Sequence, residues 1–265
     1  MTLKVAALSF DIRPGEVKAN LDSVLSALND AREQGVQLLA LPEQWTTSFL
    51  SSYTSEVLEE SESALKCVHR EALAANLTVV GSAPGRGNKK PTNEIHFLGT
   101  SGNVRPYQKR LMFSPTGEGR TLEAGAGLPK TVETPAGRVC AYICYDLRFP
   151  EITREAFYEQ ADIVVIPAQW PRPRTDAFDL LVRARAAENQ TWVLACNRSG
   201  KAGFAEGREH SFPGTAIVAN PMGEEAARID DGGLLVAEVD INQVEAARRS
   251  LPCLRDLRKT GLWPR

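Results

Sequence analysis

Val139-Cys140-Ala141-Tyr142-Ile143-Cys144-Tyr145-Asp146-Leu147-Arg148-Phe149-Pro150-Glu151 carries the deciding signal of this chain. An unbroken apolar run ends at a cysteine, a short polar turn follows, and a proline stands where a helix would begin. A continuous apolar run suits a strand covered on both faces, where an alternating one would suit a half-exposed strand. Proline fits the first turn of a helix, because its φ is already helical and its missing N–H would have no partner there. The stretch therefore reads as strand, turn, helix, with the Cys144 thiol lifted to the carboxyl end of a buried strand. In α/β sheets, ligand sites form at such ends.

The same pattern recurs outward in both directions. Apolar runs bounded by Gly, Pro, Asn or Asp cover residues 3–10, 37–41, 78–82, 95–99, 139–144, 162–167, 192–196, 215–219 and 235–239, and each reads as a strand. Between them lie helical periodicities. Val17, Leu21, Val24, Leu25 and Leu28 make one apolar face, with Gly35 as a stop signal. Further helices are expected over 55–75, from Pro150 onward, over 175–189 and over 243–250. Asn220-Pro221-Met222-Gly223 reads as a turn between two strands. Interleaved strands and helices along the whole length imply a layered α/β fold. No linker divides the chain, so residues 1–265 are expected to form a single domain.

Composition narrows the function. A chain of 265 residues buries roughly 70–75% of its unfolded surface, enough to stand without disulfides or a structural metal. The formal net charge is −2 and the charges are mixed, which argues against nucleic acid as a partner. Lys89-Lys90, beside Gly87 and Pro91, reads as a solvated turn. No apolar stretch approaches the ~18–20 residues of a membrane span, and Met1-Thr2-Leu3-Lys4-Val5 runs straight into a strand with no signal-peptide pattern. The five cysteines, at 67, 140, 144, 196 and 253, form no Cys-x-x-Cys pair, the usage of a reducing, cytoplasmic compartment. His69, His96 and His210 lie apart from one another and from the cysteines, so no metal site is expected.

Three polar residues emerge beside buried strands. Glu43 follows Leu38-Leu39-Ala40-Leu41-Pro42, which delivers a carboxylate into an apolar, aromatic setting. Lys109 sits in Tyr107-Gln108-Lys109-Arg110, and Cys144 ends its strand. Taken singly, each also has an ordinary reading: a solvated turn carboxylate, a solvated basic face, and a buried inert cysteine of the kind Cys140 represents. A thiol at a strand end has turn N–H groups nearby for an anion, and a neighbouring ammonium is expected to lower its pKa and hold a thiolate.

Together the three segments resemble the nitrilase superfamily of carbon–nitrogen hydrolases. Leu-Pro-Glu after a strand, then Tyr-Gln-Lys-Arg, then Ile-Cys-Tyr-Asp-Leu-Arg-Phe-Pro-Glu carry the Glu, Lys and Cys of that family's triad in the right order. Ala168-Gln169-Trp170-Pro171, the 183–190 segment Arg-Ala-Arg-Ala-Ala-Glu-Asn-Gln and the 220–223 turn agree over nearly the whole chain. The resemblance implies a four-layer α-β-β-α sandwich that pairs into a homodimer or higher homo-oligomer. It also implies a second glutamate near the triad, which Glu118 matches in position nine residues after Lys109. Cys-Tyr-Asp-Leu-Arg-Phe-Pro, Gln-Trp-Pro-x-Pro-Arg and Ala195-Cys196-Asn197-Arg198 are closest to the ω-amidase-like branch. That branch hydrolyses the terminal amide of small carboxylate-bearing amides such as α-ketoglutaramate, to acid and ammonia.

The implied chemistry needs no cofactor. Cys144 attacks the amide carbon, Glu43 moves protons, and Lys109 with the Tyr145 N–H faces the oxyanion, giving a thioester. Arg148, Arg172, Arg174 and Arg198 are candidates to hold a substrate carboxylate, as a guanidinium clamps it bidentately; an ordinary ion pair is the alternative for each. Trp170 forms either a pocket wall or part of the core. Nitrile or N-carbamoyl hydrolysis by the same triad, or a catalytically idle binding module of the same fold, are the competing readings. A papain-like thiol hydrolase would need a histidine partner, for which no strand-end histidine offers itself.

Overall fold

Strand β1 (Thr2–Ser9) shows how the layers arise. Leu3, Val5 and Ala7 point into one apolar cluster, and Ala6 and Leu8 into another. Successive side chains of a strand project to opposite faces, so a strand apolar at every position is buried twice. The next strand repeats the pattern, with Leu38 and Ala40 on one side and Leu39 on the other.

A computed structural model describes residues 1–105, 107–204 and 207–261. After β1 come α1 (Val17–Glu33), β2 (Leu38–Ala40), α2 (Ser55–Ala74), β3 (Thr78–Gly85) and β4 (Thr92–Leu98). The second half holds β5 (Val132–Thr134), β6 (Gly137–Ala141), α3 (Pro150–Thr153), α4 (Glu155–Tyr158), β7 (Ile163–Ala168), α5 (Thr175–Asn189) and β8 (Trp192–Asn197). It closes with β9 (Ser199–Gly203), β10 (Glu209–Pro213), β11 (Ala216–Ala219), β12 (Glu225–Ile229), β13 (Gly233–Asp240), α6 (Asn242–Ser250) and α7 (Cys253–Arg258).

Two large sheets result, with strand orders β13-β1-β2-β3-β4 and β12-β11-β8-β7-β6-β5, beside a separate two-stranded ribbon of β9 and β10. Their central strands, β1-β2-β3 and β6-β7-β8, run parallel, and the flanking strands are antiparallel. The inner faces pack together: Val5, Leu38 and Val80 share a cluster with Val139, Val165 and Leu194. Outside the first sheet, α1 and α2 bring Val24, Leu28, Leu65 and Val68 against Leu39 and Val79. Phe178, Val182 and Ala186 of α5 cover the second sheet. The four-layer α-β-β-α sandwich expected from the sequence is therefore present.

The details depart from expectation in instructive places. β4 starts at Thr92, three residues before the expected 95, because the polar Thr92-Asn93-Glu94 reads as loop yet continues the pairing with β3. The strand expected to reach Cys144 ends at Ala141. The helix after Pro150 breaks into the two single turns α3 and α4. The hairpin β9–β10 and the edge strands β5 and β12 carry no continuous apolar run, so the apolar signal passes over them. The Lys89-Lys90 turn is exposed as expected, held by backbone N–H groups of residues 88–90 on the Glu123 carboxylate. Among the described residues, no helix is long and apolar enough to cross a membrane.

Candidate active site

Glu43 lies three residues beyond β2, on a segment that continues beside β3: Leu41 N–H donates to Val80 O (2.8 Å) and Trp45 N–H to Ser82 O (3.0 Å). This close approach needs Gly81, whose missing Cβ would lie 2.8 Å from Leu41 Cβ and 3.0 Å from Trp45 Cδ1. Lys109 rides on a short extended stretch along β4, where its N–H donates to Asn93 O at 2.8 Å. Glu118 opens a 3-10 turn after Gly117, whose φ of 71° is a left-handed conformation open to glycine at little strain.

These three side chains are buried and meet. Lys109 Nζ donates to Glu43 Oε1 at 2.8 Å and to both Glu118 oxygens at 2.8 Å. Asn93 Nδ2 adds a second donor to Glu43 Oε1 (2.9 Å), and Gln169 N–H donates to Glu43 Oε2 (3.0 Å). Phe113 N–H holds Glu118 Oε2 at 2.7 Å. Burial by itself favours a neutral Lys109, but the carboxylates of Glu118 and Glu43 outweigh it and hold the pKa well above the ordinary lysine value. Glu118 is shifted upward by burial and by the negative charge of Glu43, against the pull of Lys109.

Cys144 stands at the start of a 3-10 turn with φ 45°. A non-glycine residue there stores roughly 1–3 kcal/mol of strain, tolerated where the surroundings over-determine the conformation. Asp146 supplies that determination. Its carboxylate accepts from Ile143 N–H (3.1 Å), Leu111 N–H (3.2 Å) and Tyr107 Oη (3.0 Å). Burial, partly offset by Lys109 and these donors, raises its pKa to about 7.

The thiol corrects one expectation. Burial pushes the Cys144 pKa well above the ordinary thiol value, and the charge of Glu43 pushes the same way, more than Lys109 pulls it down. Both influences favour the protonated thiol over a stored thiolate.

A small pocket opens at Cys144, lined also by Phe113, Tyr145, Arg148, Gln169, Trp170, Pro171 and Arg174. Arg148 stacks over the Trp170 ring at 4.8 Å, and Arg174 lies 5.7 Å from the Phe113 ring. Trp170 is thus a pocket wall and, through Phe178 at 5.3 Å, also part of the core. Two of the candidate arginines fall elsewhere. Arg172 is exposed and paired with Asp231 at 3.6 Å. Arg198 is fully buried behind Gln169, bonded to Ser48, Gln169, Asp11 and the Ile12 carbonyl. Neither lines the pocket, so the convergence on the space above Cys144 is by Arg148 and Arg174. None of the lining residues is a histidine.

With the geometry established, comparison with known proteins decides the family. The sequence profile of the carbon-nitrogen hydrolase family matches residues 4–249. The chain belongs to that family. A 2-oxoglutaramate amidase of Bacillus subtilis is 30% identical over 263 residues, 98% of this chain and 99% of the relative. The solved structure of an amidase from Nesterenkonia sp. superposes with a TM-score of 0.80 at 25% identity, covering 94% of this chain and 95% of that one. A carbon-nitrogen hydrolase from Helicobacter pylori G27 shares the fold with a TM-score of 0.86 at 21% identity, covering 97% and 95%. This carbon–nitrogen hydrolase is an enzyme acting on C–N bonds other than peptide bonds.

Sequence reasoning missed Asn93, Asp146 and the backbone of Gln169 as parts of the candidate site. Asp146 had a readable signal, a carboxylate just beyond an apolar strand, whereas Asn93 sits among the polar residues Thr92 and Glu94 that read as loop. The Gln169 N–H had none, because a main-chain donor leaves no mark in residue type.

Proposed function

We propose that this hydrolase is an amidase for small amides bearing a carboxylate, the ω-amidase-like activity, and that the whole chain acts as one catalytic domain. The observation that carries this reading is the buried Glu43–Lys109–Glu118 cluster beneath a pocket that holds Cys144 at its floor and Arg148 and Arg174 in its walls. The amidase names of the Bacillus subtilis and Nesterenkonia relatives support it.

Glu43 Oε1 is saturated by Lys109 and Asn93, which leaves Oε2 as the oxygen with room for a proton. In the proposed reaction the Cys144 proton passes to Glu43 as the S–C bond to the amide carbon forms. The carbonyl oxygen becomes an oxyanion facing Lys109 and the Tyr145 N–H. The C–N bond then breaks, the proton on Glu43 goes to the nitrogen, and ammonia leaves a thioester on Cys144. Glu43 next takes a proton from water, whose oxygen adds to the thioester carbon. The C–S bond breaks and the carboxylic acid departs, with the proton returned to sulfur. A protonated resting thiol suits this sequence, because proton transfer and attack are then coupled to substrate arrival. Glu118 neutralises Lys109 jointly with Glu43 and keeps its ammonium aimed between them.

The same reading includes a cytoplasmic homodimer. Leu180 on α5, 69% exposed, and Met222 in the adjoining turn, 60% exposed, present apolar surface, and Arg183 Nε ties the two elements through Gly223 O at 2.9 Å.

The test is ammonia release from α-ketoglutaramate, an uncharged amide, a nitrile and an N-carbamoyl amino acid, run beside Cys144→Ala. Turnover of the carboxylate-bearing amide well above the others is expected. Preference for the nitrile or the carbamoyl compound would overturn the substrate assignment, and silence on all four would favour the idle binding module.

A further inference from the structure

Gln169 touches the catalytic base in two ways. Its backbone N–H donates to Glu43 Oε2, and its side-chain Nε2 donates to the Glu43 main-chain oxygen at 2.8 Å. Its remaining side-chain atom, Oε1, accepts from Arg198 Nη1 (3.2 Å) and from Ser48 Oγ (3.3 Å). A guanidinium has donors only. It therefore compels the carboxamide to turn Oε1 toward it, and Nε2 is left facing Glu43. With the amide reversed, an oxygen would oppose the Glu43 carbonyl and the contact would become repulsive.

Arg198 is itself tightly held. It leaves the end of β8 fully buried, and Nη2 meets Asp11 Oδ1 at 2.6 Å and Ile12 O at 2.8 Å. Asp11 is 62% exposed and is its ion-pair partner. The preceding residue grips the neighbouring backbone: Trp170 N–H donates to Asn197 Oδ1 (2.7 Å), and Asn197 Nδ2 donates to Trp170 O (2.9 Å). Two consecutive residues leaving β8 thus immobilise the Gln169-Trp170 pair that leaves β7.

We propose that Gln169 is a positioning residue for the base Glu43, anchored by the Arg198–Asp11 ion pair, so that the contact chain Asp11–Arg198–Gln169–Glu43 sets the aim of the carboxylate at Cys144. Arg198 acts through Gln169 and does not touch substrate. The inference rests on Glu43 being the base of the proposed amidase reaction. Its effect falls on the chemical step, because a base displaced by as little as 1 Å loses up to about 100-fold in rate, while Arg148 and Arg174 still line the pocket.

Three variants test this: Gln169→Leu, Arg198→Lys and Asp11→Asn, with the double variant Asp11→Asn/Gln169→Leu. Each is checked for folding by circular dichroism, then assayed for kcat and KM and for the rate at which acrylamide alkylates Cys144, read by mass spectrometry at the Cys144 peptide. Gln169→Leu should lower kcat by about 100-fold with KM nearly unchanged, and slow alkylation in parallel. Arg198→Lys should lose a smaller factor in the same pattern. Asp11→Asn should lower kcat severalfold in the wild-type background and not at all in Gln169→Leu, since its influence runs through Gln169. Folded variants with unchanged kcat and unchanged alkylation overturn the proposal, as does a loss confined to KM, which would make Arg198 a substrate ligand. Alkylation separates the two readings. Variants that slow it in a protein releasing no ammonia from any amide leave the positioning role standing and sink the amidase. An active amidase whose Gln169→Leu variant alkylates normally does the reverse.

Discussion

Replacing Glu43 by Gln puts the hydrolase reading to its hardest trial. The wild-type carboxylate takes two donors on Oε1, Lys109 Nζ at 2.8 Å and Asn93 Nδ2 at 2.9 Å, and one on Oε2, the Gln169 N–H at 3.0 Å. A glutamine has one oxygen to offer, and the pair of donors commands it. Its NH2 must then sit at the Oε2 position, donor against donor with Gln169, beside a thiol whose proton it cannot accept. An unsatisfied buried donor costs about 1–3 kcal/mol. Breaking a buried ion pair outright costs about 3–5 kcal/mol, but Lys109 keeps both Glu118 oxygens at 2.8 Å, so only part of that applies. A net destabilisation of about 2–4 kcal/mol is expected from these two terms. Loss of the proton acceptor should lower kcat by about 10²–10⁴-fold. Ammonia release at saturating amide measures the rate, and chemical denaturation followed by circular dichroism measures the stability. A folded Glu43→Gln enzyme that retains more than about a tenth of wild-type kcat would refute the assignment of Glu43 as base.

Cys144→Ala should abolish ammonia release while the far-ultraviolet circular dichroism stays that of the wild type, because the substitution deletes one atom at a turn that Asp146 pins. Arg148→Leu and Arg174→Leu should each reduce kcat/KM for a carboxylate-bearing amide by about 10–100-fold, the worth of a charge-assisted hydrogen bond, with a much smaller change for a neutral amide of equal length; equal losses on both substrates would remove the carboxylate clamp from the account. Asp146 predicts a pH dependence of stability. Its folded pKa of about 7 exceeds the ordinary value of 3.8, so between these values the folded state binds more protons than the unfolded one. Stability from this group is therefore lost as pH rises from about 4 to about 7, by at most about 1.4 kcal/mol per pH unit. Denaturation of wild type and Asp146→Asn at pH 5 and pH 7.5 should show the variant's pH slope to be the flatter, and parallel slopes would contradict it.

Much of the fold could be read along the chain because each strand carries its burial locally. Val5, Leu39 and Val164 belong to apolar runs in which every residue is covered, and such runs separated by helical periodicity leave few architectures open. Segments whose order depends on a neighbour were not readable. β12 is Glu-Ala-Ala-Arg-Ile, and its strand exists because β11 offers a free edge. The beginning of β4 is polar because Asn93 turns its side chain to Glu43. At the site, the residue types and order of Glu43, Lys109, Glu118 and Cys144 were visible. The separation of the arginines was not: Arg172, Arg174 and Arg198 look alike in sequence, yet Arg172 pairs with Asp231 at the surface, Arg174 lines the pocket and Arg198 is locked behind it.

The linear chain decided which chemical groups are present and which segments are strands and helices, because hydrophobic periodicity and residue type belong to short stretches. Only the folded arrangement decided that a carboxylate, an ammonium and a thiol share one desolvated space, that burial and Glu43 push the thiol pKa upward, and that Arg148 and Arg174 line the pocket. Electrostatic energies depend on distance and local dielectric, which sum over groups brought together from positions 43, 109, 118, 144 and 169. No short stretch of sequence contains those distances.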